Sequence, residues 1–313
     1  LLTDMSVVAE TSATLRAMAG DALAHLGDPR SGVGVLPATD HHAILPDIDL
    51  CYVPPGPFWM GSEDEESEVD QREVLQHSID LNYGYWIGRY PVTVTQFNAF
   101  VTHTDHRITA TAALQKPANH PIQDITWDDA LAFCRWLTTL ALEQARIPQG
   151  WFFTLPSETE WEKAARGGLQ VPGMPVIGQL KALLNEPTAE TLAMEANSQP
   201  RRLYPWGDEI DSERANYKNT GILTTNTVGI FPQGMSPYGL LECSGNVGEW
   251  TRSLYKGYPY QADDGRENLE IPKARAVRGG FFWNDAAKVR CAFRKAEAPH
   301  HLRGYGFRVV LRS

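Results

Sequence analysis

The chain has 313 residues, of which 42% are hydrophobic and 21% are charged, and its formal net charge at pH 7 is −10. This composition is typical of a globular protein with a hydrophobic core. The excess of acidic residues argues against a nucleic-acid ligand, because phosphate binding relies on lysine and arginine. No apolar run approaches the roughly 20 residues that span a bilayer, and no secretory leader is recognisable. We therefore expect a soluble cytoplasmic protein with no membrane partner.

The four cysteines are far apart in the sequence, at Cys51, Cys134, Cys243 and Cys291. None belongs to a Cys-x-x-Cys pair, so the spacing favours neither a zinc site nor a dithiol redox motif. Cys134 lies within a helical pattern, where a small apolar side chain fits. We expect four buried thiols.

A helix is predicted at the amino terminus, over residues 5–27. Its apolar face consists of Leu15, Met18, Ala19, Ala22, Leu23 and Leu26. Gly27-Asp28-Pro29 ends it, and residues 32–45 have the character of an extended linker. We predict that residues 1–48 form an appendage to a main domain of residues 49–313.

Capping residues predict three further helices, over residues 93–102, over Trp127–Leu142 and from Ser157 onward. Glu160 stands three residues after Ser157, which is a capping-box arrangement, and Gly167-Gly168 ends that helix. The rest of the domain contains short strand-like runs and nine tryptophans. Residues 169–200 lack apolar periodicity and are predicted to be a surface insertion.

The carboxy-terminal block contains three predicted strands and two predicted loops. A strand over residues 274–278 ends at two glycines, and strands are also predicted over 289–294 and 306–311. The loops are residues 284–288 and 295–305. Loops that hang from a rigid scaffold commonly present a binding surface.

Five sequence segments resemble the formylglycine-generating, sulfatase-modifying factor family. These are Tyr52–Ser62, Leu155–Gly168, Tyr204–Asp208, Gly245–Trp250 and the terminal block from Arg278-Gly279-Gly280 to Gly306-Phe307-Arg308. They occur in the family's order over most of the chain after residue 50. The resemblance implies an α+β fold, the family's variant of the C-type lectin fold, with much irregular backbone.

Enzymes of this family oxidise a substrate cysteine with a copper-binding pair of cysteines that follows the Gly-Gly turn. Thiolates suit Cu(I) because both are soft. In this chain, residues 281–290 contain no cysteine, and Cys291 alone cannot form the pair. A second branch uses an iron site with a His-x-x-x-His-x-Glu motif, whereas residues 1–50 hold only His25, His41 and His42. The resemblance therefore implies a protein that is not an enzyme and binds no copper.

A third branch consists of the variable proteins of diversity-generating retroelements, whose variable region is this same terminal block. The resemblance implies a variable region over residues 278–308. The ligand-binding, solvent-facing positions that it implies are Phe281, Phe282, Asn284, Asp285, Phe293, His300, His301, Leu302 and Tyr305. Apolar side chains in loops favour a binding patch. The alternative is that Phe281 and Phe282 fill the core beside Trp283.

The segment Asn246, Val247, Gly248 and Glu249 matches the family's calcium loop. Amide, carbonyl and carboxylate oxygens are the ligands that calcium prefers. The resemblance therefore implies a structural calcium ion, and the alternative is that Asn246 is an ordinary turn residue. Asn216 and Tyr217 match a second calcium site, but the acidic residues expected after them are missing.

The leading hypothesis is a non-enzymatic protein that binds an unknown protein or other macromolecular ligand through a diversified surface. One alternative is a copper oxidase of the formylglycine-generating type that acts on a protein cysteine. The other alternative is a fixed interaction domain of a signalling protein.

Overall fold

A computed structural model describes residues 2, 7–8, 10–37, 44–63, 72–185 and 192–313. Its helices are α1 (Ala13–Leu26), α2 (Val94–Thr104), α3 (Trp127–Glu143) and α4 (Glu158–Arg166). The three predicted internal helices are confirmed. Each begins at a complete capping box, whose cap residue is Thr93, Thr126 or Ser157. Reciprocal bonds of this kind satisfy backbone donors that the first helical turn leaves unpaired.

The strands are short and spread along the whole chain. They are β1 (Val35–Leu36), β2 (Leu45–Pro46), β3 (Asp49–Val53), β4 (Gly56–Met60), β5 (His77–Leu81), β6 (Tyr85–Gly88), β7 (Phe152–Thr154), β8 (Gln170–Pro172), β9 (Ile177–Gln179), β10 (Met194–Ala196), β11 (Gly248–Leu254), β12 (Arg275–Arg278), β13 (Arg294–Glu297), β14 (Tyr305–Gly306) and β15 (Val310–Arg312). Five of them form a sheet in the order β7-β15-β6-β3-β9, and four form a second sheet in the order β13-β12-β11-β14. The predicted α+β fold is confirmed.

The main core lies between α2, α3 and the five-stranded sheet, and aromatic rings fill it. Phe133 stacks against Phe97 with centroids 5.8 Å apart and meets Phe307 edge-on at 5.3 Å. Trp250 of β11 is fully buried, and its indole N–H donates to the carbonyl of Ile125 at 3.1 Å. This contact joins the core to the four-stranded sheet, which carries the terminal block.

The amino-terminal helix packs through its small residues, not through the apolar face predicted from its sequence. Gly20 approaches Thr227 so closely that a Cβ atom would lie 2.3 Å from the threonine hydroxyl oxygen. Leu15, Met18 and Leu26 are 50%, 67% and 83% exposed. Most of the predicted face is therefore turned to solvent, whereas Ala19 and Leu23 of that face pack against a buried cluster. The helical period is visible in the sequence, but the tight contact at Gly20 decides which side is buried.

Two other expectations about peripheral segments were wrong in part. Within the predicted linker, Val35–Leu36 pairs with Leu45–Pro46 as a short antiparallel ladder. Within the predicted insertion, β9 joins the edge of the five-stranded sheet beside β3, and Leu180 is fully buried. Three-residue strands held by backbone bonds leave no periodicity to recognise. Residues 38–43 and 186–191 of these segments lie outside the described residues.

No helix in the described part of the chain has the length and apolar character needed to cross a lipid bilayer.

Candidate ligand-binding site

The terminal block leaves the four-stranded sheet at the Gly-Gly turn after β12. Gly279 and Gly280 have φ angles of 83° and 71°. A Cβ atom at Gly280 would lie 2.1 Å from the carbonyl oxygen of Lys288, so only glycine lets the chain fold back this closely. The strand predicted before this turn is confirmed by β12.

The strand predicted over residues 289–294 does not form, and β13 begins only at Arg294. The backbone of the preceding residues is bonded elsewhere. The N–H of Cys291 donates to the carbonyl of Leu203 at 2.7 Å, and the Cys291 carbonyl accepts from Arg278 at 2.6 Å. An alternating apolar pattern here reflects burial between loops and not pairing in a sheet.

Helix α4 anchors the block through buried ion pairs. Both oxygens of Glu158 accept hydrogen bonds from Arg294 at 2.7 Å. Arg278 donates to Glu158 at 3.1 Å and to Glu162 at 2.6 Å. Burial alone would raise the pKa of Glu158, but the guanidinium groups of Arg294 and Arg278 hold it below its ordinary value. The two ends of the first loop are therefore fixed to one helix.

A second buried pair fixes the end of the block. Arg308 donates to the two carboxylate oxygens of Glu249 at 2.6 Å each, and the indole N–H of Trp161 donates to the same carboxylate at 2.7 Å. A bidentate contact of this kind is geometrically specific as well as strong. Glu249 therefore helps to hold the end of the block in place.

This arrangement bears on the predicted calcium loop of Asn246, Val247, Gly248 and Glu249. The Asn246 side chain accepts from the backbone N–H of Asn226 at 3.0 Å. The described residues contain no group of three or more His, Cys, Asp or Glu side chains that could hold a metal ion. Glu249 does not fit the role of a ligand in this geometry, because Arg308 and Trp161 engage both its oxygens. Calcium binding through Asn246, Val247, Gly248 and Glu249 stays a prediction.

Glu242 lies behind the same loop, and we expect it to make the stability of the protein depend on pH. Its Oε1 accepts the N–H of Gly229 at 2.8 Å, whereas Oε2 is buried without a hydrogen-bond partner. Burial raises the pKa of Glu242 from 4.5 to about 7, although the Gly229 bond and Arg308 oppose the shift. The folded state thus holds this proton more tightly than the unfolded state does.

The stability that Glu242 contributes is fully present below about pH 4.5 and is lost as the pH rises through about 7. Replacing Glu242 with glutamine is expected to remove this loss. Urea unfolding at about pH 5 and about pH 8 should show a smaller decline in the free energy of unfolding for Glu242→Gln than for the wild type. The exposed Glu209→Gln provides the matched control. Identical pH profiles of wild type and Glu242→Gln would contradict the assignment.

The block surrounds an open cavity of about 690 Å³. Six of the nine predicted positions line it, namely Phe281, Phe282, Asn284, Phe293, His301 and Tyr305. Asp285, His300 and Leu302 do not line it. Asp285 points outward and pairs with Lys218 at 2.9 Å, and His300 is exposed. The predicted loop residues are therefore largely brought together, with three positions on the outer surface.

Aromatic side chains form one wall of the cavity. The rings of Phe281 and Trp283 are stacked, with centroids 4.5 Å apart and an interplanar angle of 5°. Phe282 meets Trp283 edge-on at 4.6 Å. Trp283, which was not among the predicted positions, is 46% exposed and offers the largest accessible ring. An exposed tryptophan beside two phenylalanines is an accessible apolar surface of the kind that commonly marks an interaction site.

Three predicted positions are buried in the cavity wall and do not face solvent. Phe281, Phe293 and Tyr305 are 4%, 6% and 1% exposed. Phe281 packs into the main core against Gly248, where a Cβ atom would lie 2.5 Å from its ring. The alternative that Phe281 fills the core therefore agrees with its burial, whereas Phe282 is only half-buried. A segment that is predicted to be a loop can still pack its side chains into the core where a glycine on another strand leaves space for them.

Polar side chains also line the cavity, among them Lys295, His301 and Tyr305, and all three contact Glu297. Glu297 accepts a hydrogen bond from the Tyr305 hydroxyl, and it lies 3.0 Å from the Lys295 ammonium and 2.8 Å from His301 Nδ1. Burial and the adjacent Glu297 raise the pKa of Tyr305 well above its ordinary value. The phenol therefore stays neutral at physiological pH and acts as a hydrogen-bonding group.

Sequence reasoning missed the residues that reach the cavity from outside the block. Gln123 and Asp124 come from the connection between α2 and α3. Asp124 accepts the backbone N–H of Gly304 at 2.7 Å and so holds the second loop in place. Its φ angle of 60° is uncommon for a residue with a side chain, but a single sequence gives no signal of it.

All four cysteines are free and buried, as predicted, and none of them lines the cavity. Burial raises the pKa of the Cys51 and Cys291 thiols to about 12 and raises that of Cys134 and Cys243 as well. Thiols of this kind are poor nucleophiles and poor metal ligands, since both roles require the thiolate.

Known proteins share this architecture. Residues 41–313 match the family model of the sulfatase-modifying factor enzyme 1-like domain. The chain is 27% identical to serine/threonine-protein kinase pkn1 of Chlamydia pneumoniae, over 83% of this chain but only 37% of that protein. It is 23% identical to the formylglycine-generating enzyme of Mus musculus, over 79% of this chain and 70% of that protein.

The solved structure of Treponema denticola variable protein 1 superimposes with a TM-score of 0.58 at 18% identity, over 84% of this chain and 95% of that one. The chain spans little more than a third of the pkn1 protein that it matches. The family match, in contrast, covers all of the main domain. The chain therefore belongs to the sulfatase-modifying factor enzyme 1-like family and has the α+β, C-type lectin fold of the formylglycine-generating enzymes.

Proposed function

We propose that this protein is a non-enzymatic ligand-binding protein that displays a diversified surface from residues 278–308, as a diversity-generating retroelement's variable protein does. The observation that carries this proposal is that the frame of the block, which is its set of buried ion pairs, does not include the accessible side chains that line the cavity. Four of the five arginines in the block are buried and paired with carboxylates, namely Arg278, Arg290, Arg294 and Arg308. The cavity-lining side chains Phe282 and His301 take no part in those pairs.

Because the frame is independent of these side chains, they can change without loss of the fold. Aromatic residues at the cavity supply large contact areas at low conformational cost, as in antibody paratopes. The structural likeness to Treponema denticola variable protein 1 supports the same function. The ligand that we propose is a protein or another macromolecule, since the cavity is open on the surface.

The burial of all four thiols supports a non-enzymatic role, because the family's oxidation chemistry needs two accessible thiolates. Free thiols also agree with a reducing compartment, so we place the protein in the cytoplasm. A fixed interaction domain of a signalling protein is the second candidate. The similarity to the pkn1 kinase favours it, and it requires the same cavity with a constant sequence.

The genomic neighbourhood provides the test. The proposal predicts a near-copy of the coding segment for residues 278–308 beside a reverse transcriptase gene. The two copies should differ at adenines in codons for cavity positions such as Phe282 and His301, and they should agree at the codons for Arg278, Arg294 and Arg308. Absence of such a copy would favour the fixed interaction domain. Oxygen-dependent conversion of a cysteine peptide by the copper-loaded protein would instead favour the oxidase.

A further inference from the structure

The cavity lining contains four cationic side chains as well as its aromatic residues, although the whole chain carries a formal net charge of −10. Arg72, Lys288, Lys295 and Arg303 line it, and Asp124 is the one carboxylate among the lining residues that the structure describes. An acidic protein that gathers cations at one cavity creates a local field opposite to its overall field. Such a field attracts an anionic ligand.

Neighbouring carboxylates cancel only part of this charge. Lys295 is balanced by Glu297 at 3.0 Å. Lys288 is close enough to Asp285 to affect its titration, but the stronger partner of Asp285 is Lys218. Arg303 is exposed and forms no ion pair with any residue in the described ranges. Positive charge therefore remains at the mouth of the cavity, chiefly on Arg303 and Lys288.

The apolar part of the cavity lies beside these cations. Trp283 stacks on Phe281 and leaves 46% of its surface exposed. The ligand thus meets an aromatic face and, next to it, cationic groups. A peptide segment that combines an apolar side chain with nearby carboxylates satisfies both features at once.

We infer that the ligand is an acidic protein segment whose apolar side chain packs on Trp283 and whose carboxylates contact Lys288 and Arg303. This inference rests on the proposed function. A nucleic acid is less suited to the site, because only four cationic side chains line the cavity and one of them, Lys295, is already paired with Glu297.

The first experiment is selection of a random dodecapeptide phage library on the wild-type protein and on Trp283→Ala. The inference predicts peptides that bind the wild type alone and carry an excess of Asp and Glu around an aromatic or aliphatic residue. Phe282→Ala serves as a second cavity variant if Trp283→Ala fails to fold by circular dichroism. Cavity-dependent peptides without an acidic bias would overturn the inference while leaving the proposed function in place. Recovery of no cavity-dependent peptide would overturn both.

The second experiment measures the charges directly, by fluorescence anisotropy of one selected peptide. Lys288→Gln and Arg303→Gln should each weaken binding about two- to five-fold, and the double variant about ten-fold, which is the range of exposed ion pairs. Added NaCl should weaken wild-type binding more than that of the double variant. Lys273→Gln removes an exposed charge outside the cavity and should have no effect.

Equal weakening by Lys273→Gln and Arg303→Gln would overturn the inference, because overall charge alone would then explain the affinity. Displacement of the peptide by a single-stranded thymidine dodecamer at lower concentration than by the unlabelled peptide would also overturn it. That result would identify the cavity as a nucleic-acid site.

Discussion

Replacing Glu158 with glutamine is expected to lower the free energy of unfolding by about 3–5 kcal/mol, because it breaks a fully buried ion-pair network. The Glu158 side chain has no solvent exposure, and it meets Arg294 at 2.7 Å and Arg278 at 3.1 Å. Without the carboxylate, Arg294 loses its carboxylate partner and Arg278 keeps only Glu162. Most of the loss in the free energy of unfolding comes from leaving a buried charge without a partner, and less of it comes from the lost attraction itself.

Urea unfolding followed by far-ultraviolet circular dichroism measures this effect. Glu209→Gln removes the same kind of charge from an exposed position and should change stability by less than about 0.5 kcal/mol. A loss below about 1 kcal/mol for Glu158→Gln, within the range of surface pairs, would contradict the frame that we describe.

Replacing Gly304 with alanine is expected to destroy the cavity as well as to lower stability, by about 2–4 kcal/mol in total. Gly304 has a φ angle of 73°, which disfavours any side chain. A Cβ atom there would lie 2.3 Å from Cη2 of Trp283 and 3.1 Å from Cδ1 of Phe281. The stacked pair of rings must move, so peptides selected on the wild type should no longer bind.

Gly265→Ala is the matched control for this substitution. Gly265 has a φ angle of 78°, but no atom lies within 4 Å of the position that its Cβ atom would occupy. It should therefore lose only the backbone contribution of about 1–2 kcal/mol and retain ligand binding. Near-ultraviolet circular dichroism should change for Gly304→Ala alone. Equal stability losses in the two variants would show that the contact with Trp283 is unimportant.

Local signals in the sequence were sufficient for the internal helices and for the strand before the Gly-Gly turn. Thr93, Thr126 and Ser157 cap the helices through bonds to residues three positions away, so a short window contains the whole interaction. The family's sequence segments together indicated the overall fold, because they occur in the same order along this chain as in the family.

Features that depend on distant residues could not be predicted. Phe281 is buried because Gly248 leaves space for its ring, and the second loop is held by Asp124 through Gly304. The same limit explains the amino-terminal helix, whose buried face is chosen by the contact between Gly20 and Thr227. The sequence therefore indicated the block whose residues surround the cavity, whereas the burial of its side chains and the cations in its lining required the structure.

The position of β15 determines when the five-stranded sheet can close during synthesis. This strand inserts between β6 and β7, yet it follows all its sheet neighbours in the sequence. The sheet cannot close during synthesis until residues 278–308 have already been translated. A substitution that prevents docking of Arg308 beside β15 is expected to leave the edges of β6 and β7 open and to expose the chain to proteases. If the block is diversified as we propose, each new cavity sequence has to allow the sheet to close before the cavity can meet a ligand.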